Sequence, residues 1–158
     1  MTQPVTAYDI DAVKLEEITI VNASIENEEG VSVLNKDSGF DIQFKVTPGV
    51  NIAIKKVRII FSCGIQAFKD ESRVEKLNVK GNFEVSLIFG VDNLADLAKT
   101  TENGLVDVSP DLIAGLSNIA YGTSRGIIYT RCLGTVLGKI ILPVISTPKL
   151  LGDSLLEP

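Results

Sequence analysis

Two neighbouring runs of alternating residues constrain this chain more than any other feature. Val57, Ile59, Phe61, Cys63, Ile65 and Ala67 form one row, with Lys56, Arg58, Ser62 and Gln66 mainly on the opposite side. Leu77, Val79, Phe83, Val85, Leu87 and Phe89 form a second row, opposed by Lys76, Asn78, Lys80, Asn82, Glu84 and Ser86. Successive strand residues point to opposite faces, so each run describes a strand with one apolar and one polar face. The second run, about 13 residues, extends roughly 43 Å. Only the charged stretch from Lys69 to Arg73 separates the two, which favours antiparallel pairing.

The segments upstream supply two further strands. Phe40, Ile42, Phe44 and Val46 alternate with Asp41, Gln43, Lys45 and Thr47, and Pro48-Gly49 is expected to end that strand in a turn. From Val13 to Glu26 the parity changes partway: Ile18 and Ile20 share one face, while Val21, Ala23 and Ile25 share the other. A bulge near Ile20 and Val21, or burial on both faces, accounts for the switch. Asn27 to Gly39 is polar, acidic and punctuated by glycine, the composition of a loop. The fold class that follows is α+β: a four-stranded antiparallel meander sheet, then one long helix and an apolar crossover segment. We expect one domain over 1–158, with flexible ends at 1–12 and 152–158.

The helical part begins after the last strand. Val91 to Lys99 suits a short helix, and Thr100 to Val108, with Asn103-Gly104, a loop. Ser109-Pro110-Asp111 is a strong helix start: serine caps free backbone donors, proline tolerates the first helical position, and aspartate favours the positive end of the dipole. The helix is expected to reach about Leu133, with Gly134 as its stop. At about 100° per residue, Leu112, Ile113, Leu116, Ile119, Ala120, Thr123 and Ile127 fall on one stripe, which should lie on the sheet. Tyr121, Arg125, Ile128 and Tyr129 would then project outward as an interface between subunits, so a homo-oligomer, dimer or tetramer, is expected. Gly115, Gly122 and Gly126 fit either close approach at that interface or packing within one subunit.

Beyond the helix, Thr135 to Leu151 is apolar and contains Pro143 and Pro148, which disfavour a helix. An extended segment crossing the body of the fold is expected. It is either core or the wall of a peptide groove, and the residues leave both open.

Composition excludes several classes of function. Lys and Arg number 15 against 20 Asp and Glu, a formal charge of −5, so no cationic field draws in nucleic acid. The chain has no His, the commonest general base and metal ligand. Cys63 and Cys132 therefore read as small buried hydrophobes, and no metal or other cofactor is expected. The run Gly134 to Lys139 lacks the spacing of a phosphate loop, which argues against a nucleotide-hydrolysing enzyme. The acids at Glu16, Glu17, Glu26, Glu28 and Glu29 read as solvated surface charge. Met1 to Tyr8 has neither the basic cluster nor the apolar core of a signal peptide, so a cytoplasmic location is expected. The apolar stretch from Val136 to Ile145 is far shorter than the roughly 20 residues that span a bilayer, so no membrane insertion is expected.

The order of these elements resembles the SecB-type export chaperones. The likeness is carried by ITIVNASIE, KKVRIIFSCGIQAF, EKLNVKGNFEVSLIFGV, SPDLIAGLSNIAYGTSRGIIYTRCLG and KIILPVIS, and covers nearly the whole chain. It implies a non-enzymatic, ATP-independent holdase that binds unfolded or secretory polypeptides in hydrophobic grooves. Leu77, Val79 and Phe83 of the last strand, with Leu137, Ile140, Leu142 and Val144 of the crossover, would line such a groove. In export members an acidic patch on the outer sheet face docks the preprotein translocation ATPase. Glu26 matches one acid of that patch, but Asn22, Leu77 and Val79 bring no others, and the second helix and polar tail are much reduced. A SecB-like chaperone dedicated to a toxin–antitoxin pair, with an antitoxin as partner, or a general holdase fits these departures at least as well. From other classes, a hot-dog small-ligand binder would place its helix after the first strands and a catalytic acid or His in its tunnel. A structural oligomer subunit would bind no unfolded chain.

Overall fold

The apolar rows build a sheet, as the alternation requires. The computed structural model describes residues 8–152. Strands β1 (Val13–Asn27), β2 (Gly39–Asn51), β3 (Lys56–Phe68) and β4 (Lys76–Val91) form one antiparallel sheet in the order β1-β4-β3-β2. Only β2, β3 and β4 form the expected meander; β1 pairs with β4 instead of β2. The physical reason is loop length. The links 52–55 and 69–75 are hairpin-sized, whereas 28–38 is long enough to pass over the ends of β4 and β3.

The parity switch in β1 is a bulge. The β1–β4 register shifts between Ile20 and Asn22, and again between Leu15 and Glu17. These two extra residues bring Leu15, Ile18, Ile20, Ala23 and Ile25 opposite Phe89, Leu87, Val85, Phe83 and Gly81, so all five face the core side. β2 runs through Pro48-Gly49 and does not turn there; the turn comes later, where Lys55 has φ 54°. β2 is an edge strand, where proline is tolerated because its missing N–H need not belong to the ladder.

A short helix α1 (Leu94–Leu97) follows, then a hairpin of β5 (Ala98–Thr100) and β6 (Val106–Val108) where a plain loop was expected. Gly104 has φ 78°, the conformation for which a turn selects glycine. The long helix α2 spans Pro110–Cys132, with Pro110 in its first turn and Gly134 at φ 75° beyond its end. The chain then crosses back irregularly to a last short helix α3 (Thr147–Leu151). Pro148 was expected to exclude a helix here; it sits in the first turn of α3, where its absent N–H has no helical partner to lose. Ile10–Ala12, expected to be flexible, form a 3-10 turn capped by the Asp9 side chain. Residues 1–7 and 153–158 lie outside the described residues, and so does the expectation made for them.

The core lies between the helix side of the sheet and α2, in two clusters. One joins Val57, Ile59, Leu87 and Phe89 to Leu112, Leu116 and Ala120; the other joins Phe61, Val79 and Phe83 to Tyr121, Ile128 and Leu137. Each such aliphatic or aromatic group contributes about 1.5–3 kcal/mol on burial.

Candidate functional site

The segment after α2 has no sheet or helix to satisfy its backbone until α3, so side chains of α2 do so. Arg125 donates from Nε to the carbonyl of Leu142 at 2.7 Å, and the Tyr121 hydroxyl donates to the carbonyl of Pro143. Asn118 and Thr147 bond reciprocally at 2.8 and 3.2 Å. The Tyr121 ring packs edge-on against Phe61, with centroids 5.5 Å apart, and near Phe44 at 6.1 Å. Burial raises the Tyr121 phenol above its ordinary range, with Arg125 beside it acting in the opposite direction. Its hydroxyl therefore stays a donor at neutral pH.

This geometry corrects the interface expected on α2. Tyr121 and Ile128 are buried within the protomer, and Arg125, half-buried, is bonded to the crossover. Of the four, Tyr129 is exposed. The expected stripe differs because the buried face also runs through Ser117, Tyr121, Ser124, Ile128 and Cys132, from the second turn of the helix to its end. Two serines on that face hide it from a reading based on apolarity.

The groove residues need a similar correction. Leu137, Ile140 and Leu142 are core side chains, as are Val79 and Phe83, while Leu77 is half-buried against the same cluster. Apolar burial draws the crossover down onto the sheet. Gly81 permits this, since a Cβ there would lie 2.9 Å from both Leu137 Cδ1 and the Phe83 ring. Only Val144 of the expected set stands free, at 83% exposure.

A partly enclosed hollow remains at the edge of this packed region. Leu34, Phe40, Val136 and Ile140 give it apolar walls, and Lys36 and Lys139 are among its polar lining; its volume is about 300 Å³. The loop 28–38 and the start of β2 supply one side, and the turn after α2 supplies the other. Ile140 was expected here; Leu34, Phe40 and Val136 were not. The available signal was Leu34, a leucine in an otherwise polar loop with Val31 and Val33 beside it.

A second surface runs along β1. Leu15, Ile18 and Ile20 face the helix side of the sheet yet stay 40%, 46% and 36% exposed, because α2 does not cover them. Ile20 and Ile127 border a hollow of about 630 Å³ between β1 and α2. Tyr129 and Ile141 border another, of about 360 Å³, on the other flank of the same helix face. Gly122 and Gly126 have no neighbour within 4 Å of a built Cβ, whereas Gly115 is occupied locally by the Tyr8 ring.

The outer sheet face is mixed in charge. Glu26 pairs with Lys80 at 3.1 Å, and Glu16 with Lys56 at 2.8 Å. Among the described residues, no group of three or more His, Cys, Asp or Glu is arranged to hold a metal, and no helix is long and apolar enough to cross a membrane.

No family model matches the chain, and no curated protein matches it. Its architecture does match a solved structure. A Mycobacterium tuberculosis SecB-like chaperone, in complex with a peptide from an antitoxin, aligns with TM-score 0.59 and 14% identity, covering 86% of this chain and 92% of that one. The chain has a SecB-like fold. A Streptococcus agalactiae protein of unknown function aligns with TM-score 0.41 and 10% identity, covering 85% of this chain and 97% of that one.

Proposed function

We propose that the protein is an ATP-independent chaperone, acting in the cytoplasm, that holds unfolded polypeptide segments and catalyses no reaction. The observation that supports this reading is the partly enclosed apolar hollow of Leu34, Phe40, Val136 and Ile140 on a SecB-like fold. Apolar burial there contributes roughly 25 cal/mol per Å² before the client's ordering cost, and it is nonspecific enough to accept many sequences. The proposed client site therefore moves from the crossover face packed on the sheet to this hollow, where half-buried Phe40 is the most accessible apolar group and Leu34, Val136 and Ile140 form a nearly buried floor, with exposed Ile141 and Val144 nearby in sequence. The test is suppression of aggregation of a chemically unfolded client without nucleotide. Wild type should suppress it and Phe40→Ser should do so less well at unchanged helix content; a wild type without effect removes the reading.

A chaperone dedicated to an antitoxin is a second reading, favoured by the antitoxin peptide in the Mycobacterium tuberculosis complex. It predicts protection of one client and little protection of unrelated unfolded chains. Docking of a translocation ATPase through Glu26 has less support, because Glu26 is already paired with Lys80. Glu26→Lys should abolish any such docking in low salt and leave client binding intact. Assembly into a homo-oligomer belongs to the same proposal, through the uncovered side of β1 and the Tyr129 side of α2.

A further inference from the structure

The chain carries five more acids than bases, yet the ionisable groups that line the hollow, among the described residues, are Lys36 and Lys139. They come from separate elements, the 28–38 loop and the turn after α2, so the fold brings them together across the apolar walls. Neither makes an ion pair among the described residues. The acids nearest in the loop sequence form no ion pair with them among the described residues. Glu29 accepts the Asn78 backbone N–H at 3.1 Å, and Asp37, exposed, is not part of the lining.

We infer that this hollow selects polypeptide segments in which an apolar side chain is flanked by acidic side chains. The inference deepens the proposed chaperone reading and rests on it. The apolar group enters between Phe40 and Ile140, and the flanking carboxylates meet the two ammonium groups. An ammonium on a flexible four-carbon stem is a mobile point charge, suited to carboxylates whose position varies along an unfolded chain. Charge at a rim mainly selects partners and speeds encounter, while the apolar floor holds the segment.

The test is fluorescence anisotropy with three labelled, end-capped peptides that share an apolar core and differ only in flanks of Asp, Gln or Lys. The acid-flanked peptide should bind about fivefold more tightly than the Gln-flanked one, as expected from two exposed ion pairs. The Lys-flanked peptide should bind most weakly, and added salt should compress the differences. The double variant Lys36→Gln with Lys139→Gln changes exposed side chains and should bind all three alike. Equal binding of the three peptides by wild type overturns the selectivity and leaves the chaperone reading standing. Failure to bind any peptide, together with failure to suppress aggregation, overturns both. If an uncapped peptide whose only acid is its terminal carboxylate matches the acid-flanked one, the hollow reads chain ends, and the inference of flanking side chains is wrong.

Discussion

Replacing Leu142 by Ala tests whether the crossover is part of the core. Leu142 is 2% exposed and packs in the cluster of Phe61, Phe83, Tyr121 and Leu137, while its carbonyl is held by Arg125. Truncating a leucine so enclosed costs about 2–5 kcal/mol, the spread reflecting how far the site collapses. Taking ~3 kcal/mol, and about 2–4 °C of melting temperature per kcal/mol for a chain of this length, Tm should fall by about 6–12 °C. Val144 lies nearby on the same segment but is 83% exposed, so Val144→Ala should stay within about 0.5 kcal/mol of wild type. The chain has no Trp, so urea and thermal unfolding are best followed by far-ultraviolet circular dichroism. Protein concentration must be matched, because self-association shifts apparent stability. Equal urea midpoints for the two variants would refute the reasoning, since they would show the segment resting loosely over a core complete without it.

Gly81→Ala should destabilise by about 1–3 kcal/mol, because the new methyl drives Leu137 and Phe83 apart; a neutral effect on the urea midpoint would show that Leu137 does not sit there. Arg125→Met keeps the packing stem but loses the bond to Leu142, so hydrogen exchange across 141–146 should accelerate; unchanged protection would mean the bond does not hold the segment. Tyr129→Asp should weaken self-association in light scattering, and a wild type of 17.0 kDa at micromolar concentration would remove the oligomer itself. Burial, reinforced by Cys132, pushes the Cys63 thiol up to about 12, so it should resist alkylation at pH 8 until urea opens the core. The sign for stability follows. The folded thiol holds its proton while the unfolded one ionises near pH 9, so this contribution is full below that pH and is lost progressively up to about pH 12.

Local pattern reveals what depends on neighbouring residues. The alternation of β3 and β4 is read directly, because a strand with one packed face must repeat every second residue. Pro110 and Gly134 mark the ends of α2 for equally local reasons, although the Ser109 side chain, expected to cap the helix, makes no capping hydrogen bond. The second half of α2 is misread because its buried stripe is defined by what it meets: Tyr121 and Arg125 turn toward a crossover whose carbonyls need donors. The hollow is less legible still. Leu34 and Phe40 meet Val136 and Ile140 because β1 pairs with β4, which sends the 28–38 loop over the sheet's end toward the turn after α2. β1 lies at the edge of the sheet beside β4, with Leu15, Ile18 and Ile20 beyond the reach of the helix. One non-local choice of strand partner therefore creates the hollow beside the crossover. A chain pairing β1 with β2 would bring that loop down to a hairpin and lose the wall that Leu34 supplies.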